Sequence, residues 1–184
     1  MSNTLCGFVF LVVLVFAAAP AHAQGADPLD QDQTPRPKAI EYSEGYETRA
    51  KIHKYASFAT LPLLGAEAIL GQSLYNDPYS RTSAKRGAHI AVGTAITGLF
   101  AVQTVTGLWN LVEGGKDPSH RKLRLAHGVM MLGADVGFAA AYATGPGGRN
   151  LVNFDQNKST HRTVVFTSMG VATASYLLML FGNK

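Results

Sequence analysis

The sequence predicts an all-α membrane protein, an up-down bundle of four transmembrane helices behind a cleaved signal peptide and a short extended arm. Three observations predict it. Four apolar stretches near 20 residues long follow one another, and at about 1.5 Å per residue each matches a hydrocarbon core about 30 Å thick. Charged residues make up only 15% of the chain, against about 25% in soluble domains. Helices that are apolar nearly all round need a large core or lipid around them. A chain of 184 residues is too small to bury four of them in itself.

Residues 1–23 read as a signal peptide. The apolar run GFVFLVVLVFAAA over residues 7–19 is short for a span and leads to Ala21-His22-Ala23 before Gln24, an A-x-A cleavage pattern. No Lys or Arg precedes the run, so an uncleaved anchor is the alternative. Both place residues 24–45 outside the cytoplasm. That stretch, QGADPLDQDQTPRPKAIEYSEG, is polar and proline-bearing. It has too little apolar surface to fold alone and is expected to be an extended arm. Residues 46–184 form the transmembrane domain.

The first helix is expected from Tyr46 to Tyr75, with a kink at Pro62. Asn76-Asp77-Pro78-Tyr79 forms the turn after it. The second helix runs from Ser83 to Val112, the third from His120 to Ala143 and the fourth from Asn157 to Phe181. The glycine-rich and then polar stretch GPGGRNLVNFDQNKS joins the last two. Lys and Arg counts are similar on the two sides, so the signal segment sets the topology rather than the loop charges. The expected place is the bacterial inner membrane, with the arm on the periplasmic side.

The net charge of +4 is modest, and the basic residues sit at segment ends rather than in a stripe. Nothing here has the footprint of nucleic-acid binding. Cys6 is the only cysteine and lies in the signal segment. The mature chain therefore has no disulfide, no thiolate metal site and no covalent haem motif.

The chemistry sits in the histidines. His53, His89, His127 and His161 each lie near the start of one apolar segment and follow one another at nearly equal intervals. With alternating helix direction, His53 and His127 share the outer level, and His89 and His161 the inner one. Histidines within membrane segments are rare and usually face the bundle interior. Two imidazoles per level on diagonal helices suit a flat macrocycle with two axial ligands. A zinc or copper centre usually takes three or four ligands together. The predicted cofactors are two noncovalent b haems. The alternative is that the histidines are interhelical hydrogen bonders in a non-redox scaffold subunit.

Arg86, Arg124 and Lys158 each stand three positions before a histidine, where haem propionates would emerge. The alternative is ordinary snorkelling at helix ends. Glu67 and Asp135 lie deep in apolar stretches and are candidates for moving protons or meeting a quinone. Each could instead be a packing residue. Glu67 follows His53 by two heptads, and Gln103 follows His89 by the same interval. Each is on nearly the same face as its histidine and about 21 Å along the axis, toward the other level. His120 reads as a surface histidine.

Four helices with one histidine each, paired as His53 with His127 and His89 with His161, resemble the core of the cytochrome b561 family. The resemblance covers residues 46–181 and rests on architecture. It implies two b haems on those four histidines and electron transfer through the membrane. Ascorbate-using members carry extra flanking helices and a basic substrate motif. Neither is found in this sequence, so ascorbate is not the expected donor. The expected function is a membrane cytochrome b relaying electrons across the bilayer as a subunit of a redox or respiratory complex. Quinol is the candidate donor and a periplasmic carrier or other redox subunits the candidate partners, with lipid around the helices. A proton-coupled transporter using Glu67 and Asp135 is a third reading. The sequence shows no inverted repeat with broken helices to support it.

Overall fold

A computed structural model of the chain describes residues 39–76, 82–145 and 154–182. All its regular structure among these residues is helical: α1 Glu44–Ser57, α2 Thr60–Asn76, α3 Ser83–Glu113, α4 Arg121–Thr144 and α5 Phe154–Gly182. A short 3-10 turn, Gly114–Lys116, follows α3. Three helical stretches, Ser83–Lys116, Arg121–Thr144 and Phe154–Gly182, are long and apolar enough to cross a membrane. The expected signal peptide, residues 24–38 of the arm, the turn at 77–79 and the 146–153 connection lie outside the described residues.

The single kinked helix expected over Tyr46–Tyr75 is two helices, and the break falls at Phe58-Ala59 rather than at Pro62. Proline causes the break at a distance. Pro62 has no N–H to donate, and its ring crowds the carbonyl four positions back, which is that of Phe58. The chain therefore tightens there. The Phe58 N–H turns to Tyr55 O and the Ala59 N–H to Ala56 O, and normal helical spacing resumes with Leu63 to Ala59. Neither half, at 14 and 17 residues, is among the three stretches long and apolar enough to cross a membrane.

The helix starts follow from local chemistry. Ser43 caps α1 by accepting from the Tyr46 N–H, and Thr82 caps α3 by accepting from the Lys85 N–H. Each satisfies one of the free N–H groups of a first turn. α1 therefore begins slightly ahead of the expected Tyr46, at Glu44. His120, at φ 52°, turns the chain into α4 in the left-handed region. It is exposed, as a surface histidine would be.

The broken α1–α2 unit lies along α3, and α4 lies along α5; α3 with α4 and α2 with α5 join the two hairpins. The core is small: Leu64, Ile96, Phe100, Ala134, Met169 and Ala172. Phe100 meets Phe138 edge-on at 5.0 Å. Outward faces carry large apolar side chains such as Ile69, Val105, Trp109, Val112 and Val136. An apolar exterior of this extent marks an interaction surface. Lipid is the surrounding that makes such an exterior favourable in a multi-pass chain.

Candidate functional site

The structure brings the four histidines together as two pairs. His53 of α1 and His127 of α4 have ring centres 6.1 Å apart and planes at 84°. His89 of α3 and His161 of α5 have centres 6.3 Å apart and planes at 82°. The first pair lines a cavity of about 560 Å³ and the second a cavity of about 640 Å³. Both lie within the range of cofactor sites, about 300–1,000 Å³.

Each of three imidazoles is anchored through Nδ1 by the helix beside it. His53 Nδ1 donates to Gln103 O at 3.0 Å, with Thr106 Oγ1 at 3.1 Å. His127 Nδ1 donates to Ser175 Oγ at 2.8 Å and Ser175 O at 3.2 Å, and the Ser175 hydroxyl donates back to His127 O. His161 Nδ1 donates to Ala141 O at 2.8 Å. A carbonyl only accepts, so these three rings carry their proton on Nδ1 and their lone pair on Nε2. That is the state in which imidazole binds a metal, and the Nδ1 partner is what fixes it.

His89 differs. Its Nδ1 lies 2.9 Å from Glu67 Oε1. That is hydrogen-bond distance, but the carboxylate lies off the N–H direction. Among the described residues, His89 Nδ1 and Glu67 Oε2 are both buried without a hydrogen-bond partner. A small rotation of either side chain would align the ring N–H with the carboxylate.

A register rule runs through these anchors. Gln103, Glu67, Ser175 and Ala141 stand two heptads after His89, His53, His161 and His127. Each helical segment thus carries a histidine for one site and, about 21 Å further along, the anchor for a histidine of the other. One turn beyond three of these anchors come Gly71, Gly107 and Gly145. These glycines face the anchored rings. A Cβ would stand 3.6 Å from His89 at 71, 3.0 Å from His53 at 107 and 3.8 Å from His161 at 145. Gly107 follows His89 by five turns of about 3.6 residues within α3, so the two share one helix face. The same sequence interval separates Gly71 from His53 across the break and Gly145 from His127 at the end of α4. Glu67 and Gln103 stand out at this spacing in the sequence. Ser175, Ala141 and the three glycines do not, although the same arithmetic reaches them.

The basic residues divide between the cavities. Arg86 and Lys158 line the His89–His161 cavity, joined by Arg162, which the sequence does not single out. Lys158 Nζ lies 4.2 Å over the Tyr75 ring, and Arg162 donates to Gln72 Oε1. Arg124 and Lys54 line the His53–His127 cavity. Arg124 also holds the loop ahead of α4, donating to Gly114 O, Asp117 O and Ser119 O.

Glu67 lines the second cavity. Asp135 lines neither; its Oδ2 accepts from Thr104 Oγ1 at 2.5 Å, tying α4 to α3. Among the described residues no cluster of three or more His, Cys, Asp or Glu could hold an ion. The four histidines meet two at a time. An imidazole nitrogen sits about 2.0 Å from a bound metal and about 1.15 Å from its ring centre. Two rings on opposite sides of one ion therefore have centres about 6.3 Å apart. The observed 6.1 and 6.3 Å fit that span.

Beyond the first site the chain is pinned by polar contacts. Tyr42 donates to Asp117 Oδ2 at 2.5 Å. Arg49 joins Glu113 and Asn110 and lies over the Trp109 ring at 4.9 Å. The Tyr42–Asp117 bond pushes the phenol up to about 12 and holds the carboxylate down at about 2. No protein-family model, curated protein or solved structure matches the chain.

Proposed function

We propose that the chain is a membrane-embedded di-haem b-type cytochrome relaying electrons across the bilayer, as a subunit of a larger redox or respiratory complex. One observation carries this reading. Two histidine pairs have the ring separation that two imidazoles would have if they held one iron between them, each pair lines a cavity, and three of the four rings have Nε2 left as the free lone pair.

Haem b, when bound, supplies a one-electron iron couple. The residues of the chain do the rest. His53 and His127 would hold one group, and His89 and His161 the other. The carbonyls of Gln103, Ser175 and Ala141 keep three rings in the binding tautomer and fix their planes. Gly107 leaves room for the His53 ring at close range. Arg86, Lys158 and Arg162 at one cavity and Lys54 and Arg124 at the other offer cations to carboxylates.

The topology follows in the same reading. α1 and α2 together cross the membrane once, and α3, α4 and α5 once each, giving an up-down bundle whose start lies on the periplasmic side of a bacterial inner membrane. Two sites about 21 Å apart inside a core about 30 Å thick each lie about 5 Å below one surface. That spacing suits a relay from one face to the other. Quinol as donor and a periplasmic carrier as partner belong to the same proposal, with Glu67 as the carboxylate nearest such chemistry.

The scaffold reading has one observation of its own, since His53, His127 and His161 do bond across helix pairs. Those bonds use Nδ1 alone and give no reason for the rings to meet in pairs. The test is the reduced-minus-oxidised spectrum of the detergent-purified chain with a pyridine haemochrome count. Two b haems per chain are expected. A folded, colourless protein would leave the scaffold reading.

A further inference from the structure

We propose that Glu67 makes the two sites electronically unlike, by holding the His89 ring with a carboxylate where the other three rings are held by peptide carbonyls. The proposal rests on the di-haem reading. The register rule places an anchor two heptads beyond each histidine, and at three of the four positions the anchor includes the backbone. At the fourth it is the Glu67 side chain, whose Oε1 lies 2.9 Å from His89 Nδ1 and comes into line with the ring N–H on a small rotation of either side chain.

This carboxylate is placed there. Glu67 is 8% exposed, and its Oε2 has no hydrogen-bond partner among the described residues. A buried polar atom left so is costly and calls for an explanation. Gly93, one turn after His89, makes the space: a Cβ at 93 would come within 3.1 Å of Glu67 Oε1. Even an alanine there would crowd the carboxylate.

The chemical consequence has a sign. An ionised acceptor makes a hydrogen bond roughly twice as strong as a neutral one. Drawing on the Nδ1 proton makes Nε2 a more basic ligand. Hydrogen bonding to the axial ligand is one of the protein's levers on a haem's potential, and a more basic ligand favours the ferric state. The His89–His161 site therefore has the lower potential, and an electron entering the chain rests at His53–His127. Glu67 touches only His89 in this role and is a positioning residue, not a catalytic one.

The experiment is an optical redox titration of the full chain in detergent, wild type beside Glu67→Gln. The wild type shows two waves. In Glu67→Gln the lower wave moves up and the upper wave stays. Loss of packing alone would lower haem content without shifting one wave selectively. Two bound haems with neither wave moved, or with only the upper wave moved, overturn the proposal. If Glu67→Gln holds a single haem, Glu67→Asp decides, because it keeps the carboxyl group. Recovery of the lower wave supports the proposal, and continued loss overturns it, since side-chain shape rather than the carboxyl group would then be required. A wild-type chain without haem would overturn the cytochrome reading before any variant is made.

Discussion

Gly107→Ala is the smallest change that tests how closely the fold clasps an imidazole. The added methyl would stand 3.0 Å from His53 Cε1 and 3.4 Å from its Nδ1. Carbon atoms rest about 3.5–4.0 Å apart, so the methyl intrudes by about 0.5 Å or more. The ring cannot retreat freely, because its Nδ1 is tied to Gln103 O at 3.0 Å and lies 3.1 Å from Thr106 Oγ1 on the same helix, and moving away from the methyl stretches these contacts. Overpacking of this kind costs about 1–3 kcal/mol, which corresponds to about 5- to 150-fold in occupancy of the His53–His127 site. Alanine also improves the helix by about 1 kcal/mol over glycine. That gain applies to α3 whether the site is filled or empty, so it does not rescue binding. Gly71→Ala is the matched control, with its methyl 3.6 Å from His89 Cε1 in ordinary contact. Gly98→Ala meets nothing within 4 Å. The assay is haem per chain at limiting haem, with the reduced spectrum. Gly107→Ala should fall toward one haem while both controls keep two. Two tightly held haems in Gly107→Ala, or equal loss in Gly71→Ala, would refute the reasoning.

Thr60 and Gln103 are 2% and 3% exposed, and Gln103 Nε2 donates to Thr60 Oγ1 at 2.9 Å. Thr60→Val should destabilise by about 1–3 kcal/mol through the stranded amide, whereas Thr60→Ser should not; thermal unfolding in detergent compares them. Tyr42 and Asp117 should titrate far from their ordinary 10.0 and 3.8. With Tyr42 raised to about 12, its contribution to stability is complete below pH 10.0 and lost as pH rises through about 12. With Asp117 lowered to about 2, its contribution is complete above pH 3.8 and lost as pH falls through about 2. Tyrosinate absorbance of the wild type against Tyr42→Phe reads the first shift, and acid unfolding of the same pair reads the second. His120→Gly should leave the haem spectrum unchanged and raise stability by about 1 kcal/mol, since it relieves a left-handed residue; a spectrum that changes would place His120 in the site.

Helices α3, α4 and α5 are readable in the sequence almost to their ends because their apolar runs stop at polar, glycine or proline signals. The first helix is not. Its proline is plain, but the break lies where the i−4 carbonyl loses its donor, at Phe58, and not at Pro62 itself. The meeting of His53 with His127 and His89 with His161 is reachable from segment order alone, because an up-down reading of four segments leaves few ways to bring like depths together. The anchors are only half readable. A side chain such as Glu67 stands out in an apolar run, whereas the carbonyls of Ser175 and Ala141 carry no sequence signature except their distance from a histidine. Arg162 is hidden by its neighbour Lys158, whereas Arg124 stands out three positions before His127 and only its bonds to three loop carbonyls are unreadable in the sequence.

The most direct test of paired ligation compares two double variants at equal haem supply. His53→Ala/His127→Ala removes both ligands of one site, and His53→Ala/His89→Ala removes one ligand from each. The account predicts one haem of wild-type spectrum in the first and no bis-histidine haem in the second. Equal haem in the two, or more in the second, would contradict it.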